Sequence, residues 1–437
     1  MKIIKAALLR AGAALAVLLA LWALLALSAA IPNESIYGNM LSSAEYYMKT
    51  DPFYGDGQLR LQQDNYADAI LLNVAWNMGN GSPFSASLDT KYNDGGEYGE
   101  NYGLYCTVRE NAAPITDYTR YWHGMSALIR PLMLVTDVQG IKLTGVISAF
   151  LLLAANCALL LKKRQFFAAA ALPAAFLCVH VWNIGLAMEY QPAVLITLLL
   201  LPLYILLEKT DGSLSVLAAV SGTMIAFFDF LTAETLTLLI PLITVFIMRK
   251  QEGRLTSLRG NIRLIAECGA AWLLSYAGTF LIKWGAASLV TGENKFLAAI
   301  TSAEVRMYGS AEQLSPVEQF FIAPLANIST LFGGTVRMDW GAAAAGLIIS
   351  AVIIGAVFYL FRDRERFDRS FTVTMLILGA IPFVRFFLLN NHSYLHEFFT
   401  YRALAASILA VFAAVWFALR FKKKRPAAKG GKKHGRA

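Results

Sequence analysis

The chain has 437 residues, 57% of them hydrophobic and only 15% charged, against about 25% charged in an ordinary soluble domain. That composition excludes a soluble enzyme and a disordered chain, and cysteines placed mostly in apolar runs (Cys157, Cys178, Cys268) exclude a disulfide scaffold. The net charge of +9 would suit nucleic acid, but its distribution along the chain assigns it to the membrane surface instead, so no nucleic-acid partner is expected.

Ten apolar runs predict membrane helices at 6–31, 141–161, 165–182, 192–207, 213–229, 234–248, 262–283, 341–361, 370–389 and 400–420. The first follows Lys2 and Lys5 and precedes Ser28-Ala29-Ala30, as a signal peptide would. Its apolar run exceeds the ~7–15 residues of a signal core, so it counts as a span. Ser213–Met248 as one helix would be about 54 Å long against a hydrocarbon core of ~30 Å, so the chain is expected to turn at Asp229–Glu234. The predicted fold class is an all-α integral membrane protein with about ten transmembrane helices. It divides into a first transmembrane helix (1–31), a first extracytoplasmic loop with interfacial helices (32–140), membrane helices 2–7 (141–283), a second extracytoplasmic loop (284–340), membrane helices 8–10 (341–420) and a basic cytoplasmic tail (421–437).

Charge tests this layout. With the N-terminus inside, the segments 1–10, 162–164, 208–212, 249–263, 362–369 and 420–437 are cytoplasmic and hold 25 Lys+Arg against 6 Asp+Glu, leaving 13 against 23 for the rest. That is the positive-inside asymmetry. Both termini are therefore expected in the cytoplasm, with the tail Lys422–Arg436 a partner for anionic membrane lipids. Both long polar loops then fall outside, together with the turns 183–191, 229–234 and 389–399.

The first outer loop holds eleven of the eighteen tyrosines. Within it Asp64 is placed to cap a helix whose Ala67, Ile70, Leu71, Val74 and Met78 share a face. Asp64 and Asp68 each carry two readings: cap or dipole partner, and general base or metal-binding carboxylate. Residues 79–103 are expected to be a flexible acidic loop without the ligand spacing of an EF-hand. Arg120, Tyr121, Trp122, His123 and Arg130 follow, just before the second span; the aromatic ones also suit an interfacial belt.

Ionisable groups at membrane depth cost ~2.5–3.5 kcal/mol each, so Asp229, Glu234, Arg385, His392, His396 and Arg402 are expected to face a cavity, or to pair as Asp229 with Arg385. His392 and His396 are four apart, but no third metal ligand is identifiable; hydrogen bonds to a phosphate or sugar hydroxyl are expected, with Arg402 an anion clamp. In the second outer loop, Arg306 precedes Ser315-Pro316-Val317-Glu318, a capping box that starts a helix expected to lie in the interface.

A first span, a long outer loop with an early acidic residue, interfacial helices and a string of spans resemble the GT-C class of glycosyltransferases over most of the chain. The segments 227–242 and 390–402 are similar to those of uncharacterised bacterial multi-pass membrane proteins. The resemblance implies transfer of a sugar from a polyprenyl-phosphate carrier to a glycan, lipid or protein acceptor on the outer face of a bacterial cell membrane. It implies a catalytic carboxylate in the first outer loop, which Asp64 or Asp68 match by position. Neither sits in the adjacent acidic pair many members show, and Asp51 and Asp56, nearer the first span, compete for the role. Arg120, Trp122, His123, Arg130, Asp229, Glu234, Arg306, Arg385, His392, His396 and Arg402 would bind substrate, with Arg306, Arg385 or Arg402 on the leaving phosphate. A divalent metal, Mg or Mn, is the one cofactor left open. The rivals are a transporter or lipid-linked-carbohydrate flippase, which needs polar residues along the inner half of the spans where only Glu267 stands out, and a non-catalytic assembly partner.

Overall fold

The computed structural model of the chain describes residues 2–55, 57–309, 314–334, 340–362 and 367–419; Asp56 and the basic tail 420–437 lie outside them. Helix α1 (Lys2–Ala29) leads into a cap of five helices: α2 (Asn33–Met48), α3 (Asn65–Asn77), α4 (Pro83–Leu88), α5 (Gly99–Glu110) and α6 (Ser126–Leu132). Two antiparallel ribbons stitch it together. β1 (Phe53–Tyr54) pairs with β2 (Gln63–Asp64), and β3 (Lys91–Tyr92) with β4 (Thr116–Asp117), in registers that set Phe53 opposite Asp64 and Lys91 opposite Asp117.

The segment expected to be a flexible acidic loop is ordered. Asn73 donates to the Asn93 carbonyl at 3.1 Å, and Asn101 donates to the carbonyls of Tyr47 and Thr50 at 3.0 Å each. Such side chain–backbone bonds hold irregular chain without leaving a hydrophobic period to detect. Helix α3 differs too: it is buried on every side from Asp68 to Trp76, because α2, α5 and α6 pack around it.

The bundle continues with α7 (Val138–Lys162), α8 (Phe166–Cys178), α9 (Gln191–Leu207), α10 (Asp211–Phe228), α11 (Leu236–Gln251) and α12 (Leu258–Thr291). Then come α13 (Lys295–Tyr308), α14 (Pro316–Leu331), α15 (Trp340–Phe361), α16 (Arg369–Leu388), the short α17 (Asn390–Leu395) and α18 (Glu397–Thr400), and α19 (Leu404–Phe417). Each expected span coincides with a helix, but among the described residues eight rather than ten are long and apolar enough to cross a membrane. The exceptions have physical reasons. Helix α8 has 13 residues, roughly 20 Å, and stops where His180 takes a left-handed φ of 54° before a 3-10 turn over Val181–Gly185. Helix α11 has 16 residues, buried from Leu236 to Arg249 among α9, α10, α16 and α19; a helix enclosed by protein has no need to match the bilayer. The expected break is present, with Leu231 at φ 68° and Asp229 accepting from Thr232 N and Oγ1 at 2.8 and 2.5 Å.

Packing is tightest between α10 and α12. A Cβ on Gly222 would run into the Trp272 carbonyl oxygen, so only glycine lets these backbones approach. Outer helices turn apolar side chains outward: in α15 only Ala343 is buried, while Ile348, Ile349, Val352 and Ile353 are exposed. An all-apolar exterior belongs in hydrocarbon.

Away from the cap, the basic connections converge at one end of the bundle. Arg249 pairs with Asp211 at 2.7 Å, Arg254 with Glu208 at 2.6 Å and Lys250 with Asp368 at 2.6 Å. Gln165 donates to Glu252 at 3.0 Å, and Arg10 to Ser215 at 2.9 Å. Among the described residues, the connections 208–212, 249–263 and 367–369 are thus neighbours in space.

Candidate functional site

At the cap end a cavity of about 230 Å³ opens between the cap and the bundle, lined by Asp64 and Glu189 and by Arg120, Arg306, His392 and His396. Asp64 gets there by local structure: it closes β2 and caps α3, its Oδ1 accepting the Ala67 amide at 2.8 Å. Burial pushes its carboxyl up to about 7; the Ala67 amide opposes the rise and neighbouring Asp68 adds to it. A carboxyl poised there can take a proton near neutral pH.

One helical turn on, Asp68 faces away from the cavity. It is fully buried and saturated, accepting Tyr47 Oη at 2.8 Å, the Met188 amide at 2.7 Å and Lys142 Nζ at 2.7 Å. Lys142 also donates to the Leu186 carbonyl at 3.1 Å. The Asp68–Lys142 pair therefore holds the turn 186–190 at Leu186 and Met188, with Glu189 within hydrogen-bonding reach of Asp64. Among the described residues no donor reaches Glu189 Oε1.

The same lining carries cations. Arg120 lies over the Tyr118 ring at 4.3 Å. Arg306, on α13, donates to Tyr121 Oη at 2.7 Å and to the Ser302 carbonyl at 2.8 Å. The Nε atoms of both are buried without a partner among the described residues, an uncommon condition for a guanidinium donor. The same two arginines, with His392 and His396, line a second chamber of about 320 Å³. His392 Nδ1 sits 3.4 Å from Arg385 Nη2; arginine has no acceptor, so Nδ1 accepts and the ring proton is on Nε2. Burial, then His396, holds His392 well below the usual imidazole range, so it is neutral.

The remaining predicted residues support this cavity from outside it. Arg385 pairs with Glu234 at 3.1 Å, not with Asp229, and donates to Ser393 Oγ at 2.7 Å and to the Leu231 carbonyl; Asp229 caps its own turn. Trp122 donates to the Thr279 carbonyl at 2.9 Å. His123 takes a left-handed φ of 55° and bonds the Tyr118 carbonyl at 2.8 Å; burial drops its imidazole to about 3. Arg130 is buried on main-chain carbonyls, Ser28 at 2.8 Å and Ala75 at 2.7 Å, with Asn33 Oδ1 at 3.0 Å. Arg402, expected as an anion clamp, is 2% exposed, stacked over Tyr190 at 4.6 Å and outside both chambers.

Sequence reasoning placed Glu189 only within the turn 183–191, and it did not single out the aromatic lining residues Tyr66, Phe230 and Phe399. Among the described residues no three His, Cys, Asp or Glu side chains gather to hold a metal, so Mg or Mn has no such donor set here. Comparison of the chain with family models, curated proteins and solved structures finds no match.

Proposed function

We propose that this chain is a multi-pass membrane glycosyltransferase that moves a sugar from a polyprenyl-phosphate carrier to an acceptor hydroxyl on the extracytoplasmic face. The observation that carries the reading is the shared cavity: a carboxyl near neutrality and two arginines with unused Nε–H donors line it together, in a chain with an apolar exterior. Basic segments clustered at the far end favour a cytoplasmic side there and an outer side for the cavity. A volume of about 230 Å³, below the ~300–1,000 Å³ of drug-sized pockets, suits one sugar ring, with Tyr66 and Tyr118 as flat surfaces against it.

In the transfer step Asp64 accepts the proton of the acceptor hydroxyl, whose oxygen bonds the anomeric carbon as the bond to the carrier phosphate breaks. The phosphate leaves with that electron pair, and Arg120 and Arg306 neutralise it. His392 Nε2–H donates alongside them. Asp68 and Lys142 hold Asp64's wall in place and do not touch substrate.

The test is the outer-surface glycan composition of cells carrying wild type, Asp64→Asn or Arg306→Ala at matched membrane levels. Loss of one sugar in well-inserted variants supports transfer. A glycan profile unchanged even by deletion of the chain overturns it and moves transport to the front.

A further inference from the structure

The geometry points to a proton shared between Asp64 and Glu189, carried on Glu189, which makes Glu189 the positioning residue that keeps Asp64 in its basic form. The inference deepens the transfer reading, on which its kinetic half rests. Two carboxylates are acceptors only and repel, so a hydrogen bond between the two side chains requires one proton. Asp64 is 3% and Glu189 6% exposed, leaving little water to screen the pair.

Geometry also chooses the carrier. Asp64 already accepts the Ala67 amide at 2.8 Å at the N-terminus of α3, and both features favour its anion. Glu189 Oε1 receives no donor among the described residues. The charged and titratable groups around the pair are Asp68, Asp229, Lys142 and the phenols of Tyr47, Tyr118 and Tyr190, with Arg120, Arg306, His392, His396 and the Tyr66 phenol on the same cavity lining and Arg402 over the Tyr190 ring. Lys142 is engaged by Asp68 and the Leu186 carbonyl. Glu189 cannot retreat, because the Met188 amide is fixed on Asp68 at 2.7 Å. During transfer the acceptor's proton goes to Asp64 and then to water after product leaves, while Glu189 keeps its own.

The test is infrared difference spectroscopy on the full-length protein in lipid at mildly alkaline pH. Wild type minus Glu189→Gln is expected to show a protonated-carboxyl C=O band that shifts in D₂O. Wild type minus Asp64→Asn is expected to show a carboxylate band. An ionised carboxylate at position 189 overturns the proposal whether or not the chain transfers sugar. In the kinetic half, the acid limb of the rate profile stays in place in Glu189→Gln, whose amide N–H replaces the donated O–H. In Glu189→Ala it moves up by about one pH unit or more, the worth of a hydrogen bond to a charged group. A limb unmoved in both variants overturns the positioning role. A wild type without transfer activity counts against the glycosyltransferase reading alone, and the infrared band still locates the proton.

Discussion

Asp64 and Asp68 lie one helical turn apart on α3, yet their surroundings give them different work. Asp64 has one main-chain donor and an open side toward the cavity; Asp68 is enclosed by a phenol, an amide and an ammonium. Replacing Asp64 with Asn keeps the cap and removes the base, so turnover is expected to fall by ~10²–10⁴-fold with insertion unchanged. The carboxyl's folded value of about 7 lies above the ~3.9 of an unfolded Asp. Its contribution to stability is therefore full below about pH 4 and lost as pH rises through about 7, the reverse of its activity. Thermal melts of wild type against Asp64→Asn across that window check the sign. Asp68→Ala strands a buried ammonium and is expected to cost ~3–5 kcal/mol, much of it restored when Lys142→Met is added; a double-mutant unfolding cycle in detergent measures both. Depth flagged His392 and His396 in the sequence, because an ionisable group there demands a polar partner; Arg120 and Arg306 were flagged by their place in the outer loops. Depth does not say which partner, so Arg402, stacked over Tyr190 and donating through Nη1 and Nη2 to the Phe398 and Asn183 carbonyls, resembled a ligand-binding residue. Glu189 sits in a non-periodic turn and makes sense only beside Asp64.

At the scale of elements, hydrophobic runs identified α1, α7 to α12, α15, α16 and α19, since a run of that length has few alternatives to a helix in or near a membrane. The cap helices were less legible. Helix α5 opens with Gly99 and contains Gly103, poor helix formers, and α2 mixes polar and aromatic residues with little amphipathic pattern. Tertiary packing of α2, α3 and α5 decides their structure. The capping box of α14 was legible because it is local: Ser315 and Glu318 satisfy each other's backbone donors as their spacing requires. The α10–α12 contact supplies a prediction at this scale. Gly222→Ala presses a methyl onto the Trp272 carbonyl and is expected to destabilise by ~1–3 kcal/mol, read as a lower midpoint of thermal unfolding in detergent. A variant as stable as wild type would mean the helices can part there without cost.

Over the whole molecule, charge sign and three-dimensional contact agree on two ends. Segments rich in Lys and Arg meet around Arg249, Arg254 and Lys250, while the cap and its cavity occupy the other end. In a background without the native cysteines, Tyr98→Cys on the exposed cap is expected to react with an impermeant maleimide in intact cells, and Lys209→Cys only after lysis. The reverse pattern would put the cavity in the cytoplasm. The most direct test of the central claim is transfer by the reconstituted full-length chain, supplied with a labelled polyprenyl-phosphate sugar and a hydroxyl acceptor. The account predicts release of polyprenyl phosphate with the label on the acceptor, rising through about pH 7 and lost in Asp64→Asn. Transfer by Asp64→Asn at the wild-type rate would contradict it.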